Sequence, residues 1–141
     1  MTTMTKQKIT IEATINAPVD KVWDAWSTPE DIIKWNCPSP EWHTPRAEND
    51  LKVGGRFVSR MEARDGSAGF DFGGTYDKVD KNKCIAYTMD DSRTVEVLFD
   101  VNGNQTKVTE TFEAEEENSL EMQRGGWQAI LDNFKKYVEA K

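Results

Sequence analysis

Glu110 is the side chain whose setting carries most chemical meaning. It alternates with Val108 and Phe112 on a period-two run, so a strand pleat puts all three on one side. A carboxyl on an apolar face is desolvated, and desolvation favours its neutral form unless a cation comes with it. There it can hydrogen-bond the polar head of a bound molecule or act as a general base. The plainer readings are a strand-end residue reaching solvent, or a strand phase displaced by one residue. His43 is the only histidine, so any His metal site or Ser-His-Asp triad must run through it alone. No second histidine, cysteine pair or HExxH accompanies it, and neither a metal nor another cofactor is expected. Cys37 and His43 share a proline-containing loop and could form a thiol–imidazole pair, but no predicted element holds them together. A loop thiol and a surface imidazole is the simpler account. Arg124, one turn before Trp127, reads as a surface residue or one that reaches a cavity mouth. Gly125 and Gly126 each weaken a helix interior by about 1 kcal/mol relative to alanine. They mark a helix start, a kink, or a place where a ligand approaches backbone.

These residues need a scaffold. Over residues 120–140, Leu120, Trp127, Leu131, Phe134 and Val138 recur at helical spacing, and Ile130 and Tyr137 widen the stripe. Upstream, the clearest strand alternates Ile9, Ile11, Ala13 and Ile15 with polar residues. Two short helices follow. Asn16 is the expected cap of the first, entered through Pro18 with Val19, Val22, Trp23 and Trp26 buried; Thr28 is the expected cap of the second, with Ile32, Ile33 and Trp35 apolar. Residues 36–44 read as an irregular loop, either closing a cavity end or packing its aromatics on a sheet rim. Strands then succeed one another: residues 45–49, the run from Phe57 to Ala63, Phe70 to Tyr76, Ile85 to Met89, Val95 to Val101, and one through Val108, Glu110 and Phe112. Asp65-Gly66 and Asn102-Gly103 mark hairpin turns, and Ser119 is placed to cap the final helix.

One helix about 10 Å wide cannot blanket some seven strands spaced about 4.8 Å apart. The sheet must curl around it, and Gly54-Gly55 and Gly73-Gly74 permit the bending. The expected class is α+β, in one domain over residues 1–141. Its curved antiparallel sheet wraps a long C-terminal helix, with two short helices between strands 1 and 2. The concave space either fills with side chains or stays partly open.

Composition narrows the function. The 141 residues carry a formal net charge of -7, which argues against nucleic acid and anionic membrane surfaces as partners. No apolar run approaches the ~20 residues of a membrane span, and residues 1–8 show no signal-peptide core. With only Cys37 and Cys84, and no CxxC, a reducing cytoplasmic setting with free thiols is expected.

Three blocks together carry a family resemblance. The first is Asn16-Ala17-Pro18-Val19-Asp20-Lys21-Val22-Trp23 with Thr28-Pro29-Glu30 and Trp35. The second is Asp50-Leu51-Lys52-Val53-Gly54-Gly55-Arg56-Phe57 with Gly74-Thr75-Tyr76, and the third is Gly126-Trp127. They resemble the activator of heat-shock-protein-90 ATPase homologue family, within the START-related, birch-pollen-allergen-like superfamily. The resemblance implies the helix-grip fold. It leaves function open, because the superfamily includes ligand binders, cyclases, hydratases and co-chaperone domains; the co-chaperone's separate N-terminal domain has no counterpart in these residues.

The leading expectation is a non-catalytic binder of a small, mostly apolar molecule, lipid or aromatic and polyketide-like. From the sheet, Phe57, Met61, Phe70, Phe72, Tyr76, Tyr87, Val97 and Phe99 would line its cavity. Trp127, Ile130, Leu131 and Phe134 would line it from the helix, with Glu110 or Tyr76 orienting the guest. The alternatives are a chaperone-binding module and a cyclase- or hydrolase-like enzyme that needs Glu110 or His43 facing inward. An open edge at residues 9–15 would allow a homodimer as readily as a monomer.

Overall fold

The computed structural model describes residues 7–141; most of the segment read for a signal-peptide core, residues 1–6, lies outside it. Strand β1 (Lys8–Ile15) is followed by α1 (Val19–Ser27) and α2 (Pro29–Trp35), then by six strands and a final helix. The strands are β2 (Trp42–Asn49), β3 (Arg56–Ala63), β4 (Gly69–Asp80), β5 (Cys84–Met89), β6 (Thr94–Asn102) and β7 (Gln105–Glu113), and the helix is α3 (Leu120–Glu139). They form one antiparallel sheet in the order β1-β7-β6-β5-β4-β3-β2. Strand β1 has crossed to pair with the last strand, while β2 to β7 meander.

The sheet curls where the chain lets it. A register shift between Tyr76 and Lys78 bends β4. Gly74 sits under the Phe57 ring, and a Cβ there would lie 2.5 Å from the Thr88 carbonyl oxygen and 3.1 Å from that ring. Only glycine lets the strands and the ring close up at that point.

Three elements, rather than one, cover the concave face. Helix α3 takes one side, stacking Trp127 on Phe112 with centroids 3.9 Å apart and planes 8° from parallel. Helices α1 and α2 take the other and fill it with Trp23, Trp26 and Trp35 around Phe99 and Phe134. The width mismatch therefore applies to only part of the sheet.

Several local expectations need correction. Asn16 does not cap α1: Pro18 occupies the cap position with no side-chain bond, and the Asn16 N–H donates instead to Glu139 at 2.8 Å. Thr28 stands at the cap of α2 without a side-chain bond, its N–H already given to the Asp24 carbonyl. Strand β2 starts at Trp42, inside the stretch expected to be irregular. Leu120 is exposed, and Gln123 is the buried residue of that first turn. Its amide ties down the incoming chain, accepting from the Glu115 N–H and donating to the Glu115 and Asn118 carbonyls. Ser119 does cap α3, accepting from the Met122 N–H at 3.1 Å. Ser119→Ala should cost about 1 kcal/mol, read as a few degrees in thermal unfolding.

The free side of β1 is occupied as well. Arg124, Gln128 and Lys135 donate from α3 to the carbonyls of Thr10, Glu12 and Thr14 at 2.7, 3.2 and 2.7 Å. Alternate edge carbonyls are thus already satisfied, so β1 is a poor template for pairing with a second copy. This also assigns Arg124 to a tie between helix and edge strand.

Candidate functional site

Between α3 and the curled strands lies a cavity of about 340 Å³, at the lower end of the ~300–1,000 Å³ range of small-molecule sites. Cross-strand rows explain which side chains reach it. One concave row runs Ile9, Phe112, Val95, Tyr87, Tyr76 across five strands, and the next runs Ile11, Glu110, Val97, Ile85. Glu110 is the only ionisable member of that second row. Beyond Tyr76 come a row through Gly74 and Phe57 and one through Phe72 and Ser59.

Of the residues expected at the cavity, Phe57, Met61, Phe70, Phe72, Tyr76, Tyr87, Glu110, Trp127, Ile130 and Leu131 line it. Phe70, 48 % exposed and touching Trp42 at 6.0 Å between centroids, marks its mouth. Val97, Phe99 and Phe134 do not line it. Val97 is fully buried beside Glu110, Phe99 packs on Trp23 and Trp26, and Phe134 is wedged between Trp26 and Trp35. The tryptophans of the short helices claim Phe99 and Phe134 for the solid half of the core. Asn36 and Pro38, from the loop after α2, close one end, and Trp26, Ile32 and Trp35 form a wall. Glu48, Asn49 and Arg93 also line it and carried no signal in the sequence. Ser59, which alternates with Phe57 and Met61, lines it too, as does Gly126 of the Gly125-Gly126 pair. Both glycines lie inside α3 rather than at its start, and a Cβ on either would meet nothing within 4 Å. No neighbour in the protein demands a glycine at 126, which faces the cavity.

The polar groups divide into satisfied and unsatisfied. The Tyr76 hydroxyl donates to Asn49 Oδ1 at 2.5 Å, and Asn49 Nδ2 donates to the Ser27 carbonyl at 2.6 Å. Tyr76 can therefore only accept from a guest, and burial pushes its pKa above the ordinary phenol value, so it stays protonated. Arg93 is held by Asp91 at 2.7 Å. Glu110 is 5 % exposed and, among the described residues, makes no hydrogen bond or ion pair. Burial alone raises its carboxyl pKa from 4.5 to about 8. Tyr87, packed on Phe57 with centroids 4.7 Å apart, is raised well above the ordinary phenol value by burial and then by the Glu110 charge.

His43 lies on β2 opposite Glu62, 3.9 Å from its carboxylate, and does not line the cavity. Cys37 contacts Asn133 instead, with Nδ2 at 3.7 Å from its Sγ, so the two loop residues form no nucleophilic pair. Among the described residues no cluster of three or more His, Cys, Asp or Glu could hold a metal, and no helix is long and apolar enough to cross a membrane.

A seven-stranded curled sheet gripping a C-terminal helix, with a cavity between them, defines the START-related, birch-pollen-allergen-like class of helix-grip proteins. Within it, residues 16–139 match the model of the family described as activator of Hsp90 ATPase homolog 1-like protein, and the chain belongs to that family. It is similar to the AHSA1-like protein of Aeromonas hydrophila, with 49% identity, 95% of this chain and 93% of that one covered, and a TM-score of 0.89. A protein of Cytophaga hutchinsonii is 51% identical, with 94% and 92% covered and a TM-score of 0.83. A Nitrosomonas europaea protein shares the fold at 20% identity and a TM-score of 0.82, with 94% of each chain covered. No protein of curated function matches the chain.

Proposed function

We propose that this protein binds a small, mostly apolar molecule between α3 and the sheet, with Glu110 as the polar anchor. The observation that carries the reading is an aromatic-walled cavity of about 340 Å³ with an unpartnered carboxyl inside it. Apolar burial at ~25 cal/mol per Å² supplies the affinity, and the one polar contact fixes orientation. Gly126 keeps the helix wall open. Gly126→Leu places a side chain into that space and should weaken binding of naphthalene, followed by tryptophan fluorescence, about tenfold or more. Helix propensity favours the variant by up to about 1 kcal/mol, so it remains folded. Unchanged naphthalene affinity in Gly126→Leu, or no saturable binding to the wild-type protein, contradicts the reading.

A chaperone partner is the second reading, favoured by the family's description as an activator of an ATPase. Chaperone ATPase rates left unchanged by the added protein would remove it. A cyclase- or hydrolase-like reaction has less support: Glu110 faces inward, but His43 does not join it.

A further inference from the structure

We propose that the guest carries a carbonyl oxygen, gripped by two groups at once: the Tyr87 hydroxyl and the Glu110 carboxyl. This rests on the small-molecule reading above and names the class of ligand it would serve. Both residues line the one cavity and stand in adjacent concave rows, on β5 and β7. They are 6 % and 5 % exposed, and neither side chain makes a hydrogen bond among the described residues. Buried polar groups are nearly always paired, and leaving one unpaired is costly. Two such groups beside an open cavity are where a ligand contributes most.

The neighbours decide which ligand. Glu110 is flanked by Ile11 on β1 and Val97 on β6, and α3 presents Gly126, Trp127, Ile130 and Leu131, none of them titratable. The charged groups lining the cavity are Arg93, paired with Asp91, and Glu48, exposed at the rim on β2. The titratable phenols are Tyr76 and Tyr87. The one cation lining the cavity is held by Asp91, and burial is the only influence on the carboxyl, so it is an O–H donor, as is Tyr87. Two O–H donors call for one acceptor with two lone pairs, and a ketone, ester or quinone oxygen has them. An ammonium would instead require Glu110 to ionise and both ions to be desolvated together. Ser59, also buried and without a side-chain bond, stands two rows from Tyr87 and is free to meet a second polar group. The paired donors follow the same logic as the tyrosine and protonated aspartate that hold an oxyanion in ketosteroid isomerase; here they are assigned binding alone.

The test compares benzophenone with diphenylmethane, which has the same rings and no carbonyl. The wild-type protein should bind the ketone about tenfold more tightly. The carbonyl stretch of ¹³C-labelled benzophenone should move to lower frequency on binding. Tyr87→Phe should weaken ketone binding severalfold and reverse part of the band shift, with diphenylmethane unaffected. Above pH 8 the wild-type protein should lose its preference for the ketone, whereas Glu110→Gln, which keeps a donor and cannot ionise, should hold it. Equal affinities with an unshifted band overturn the carbonyl grip and leave the small-molecule reading standing. Tighter binding of benzyltrimethylammonium than of benzophenone also overturns it. Failure of both benzophenone and diphenylmethane to bind overturns the two readings together.

Discussion

At pH 8 and above, Glu110→Gln should be more stable than the wild-type protein by up to roughly 4–5 kcal/mol, at about 1.4 kcal/mol per pH unit of the window. The window follows from burial, which raises this carboxyl from 4.5 to about 8. Below 4.5 the folded and unfolded chains both carry the proton, and the group contributes nothing to the pH dependence. Between 4.5 and 8 the unfolded chain ionises while the folded one keeps its proton. The unfolded state then binds fewer protons, so stability falls as pH rises, and it levels off once both states are ionised. Glutamine preserves size and removes the titration. Denaturant midpoints of the two proteins should therefore coincide near pH 4 and separate steadily towards pH 8. Parallel curves would show that Glu110 reaches solvent. A residue that weakens its own fold at cellular pH, where leucine would not, is a usual mark of a functional site.

Phe134→Ala should destabilise the fold by about 3–5 kcal/mol, a fall of roughly 10 °C or more in Tm. Phe134 is fully buried and meets Trp26 and Trp35 edge-on at 5.0 and 4.8 Å between centroids. It joins α3 to both short helices through the rings it wedges between. Trp127, by contrast, is only partly buried and faces the cavity. Calorimetry of Phe134→Ala reads the effect directly. A shift of a few degrees would mean that this half of the core is as loosely filled as the other.

That contrast shows what the sequence disclosed and what it withheld. Alternation in Ile9–Ile15 and through Val108, Glu110 and Phe112, with helical spacing in residues 127–138, is a property of single segments and was legible there. Glu110 was readable as an inward carboxyl because its two strand neighbours are apolar. Division of the concave face was not readable, because it depends on where α1 and α2 dock. Phe99 and Phe134 therefore looked like cavity wall and are packed core. Leu120 kept the helical period but is exposed, whereas Gln123 is buried because its amide is tied to the backbone of Glu115 and Asn118. The closed edge of β1 was hidden for a similar reason. Arg124 reads as a surface residue or one at a cavity mouth until α3 is set alongside β1, where Arg124, Gln128 and Lys135 meet the carbonyls of Thr10, Glu12 and Thr14.

The most direct test of the open half of the core is an NMR titration of ¹⁵N-labelled protein with naphthalene. Saturable shifts should concentrate on the amides of Phe57, Tyr87, Glu110 and Gly126 and on the Trp127 indole, leaving Trp23 and the outward-facing Glu96 and Thr111 unmoved. Shifts confined to the outer strand faces, or none at saturation, would contradict the account.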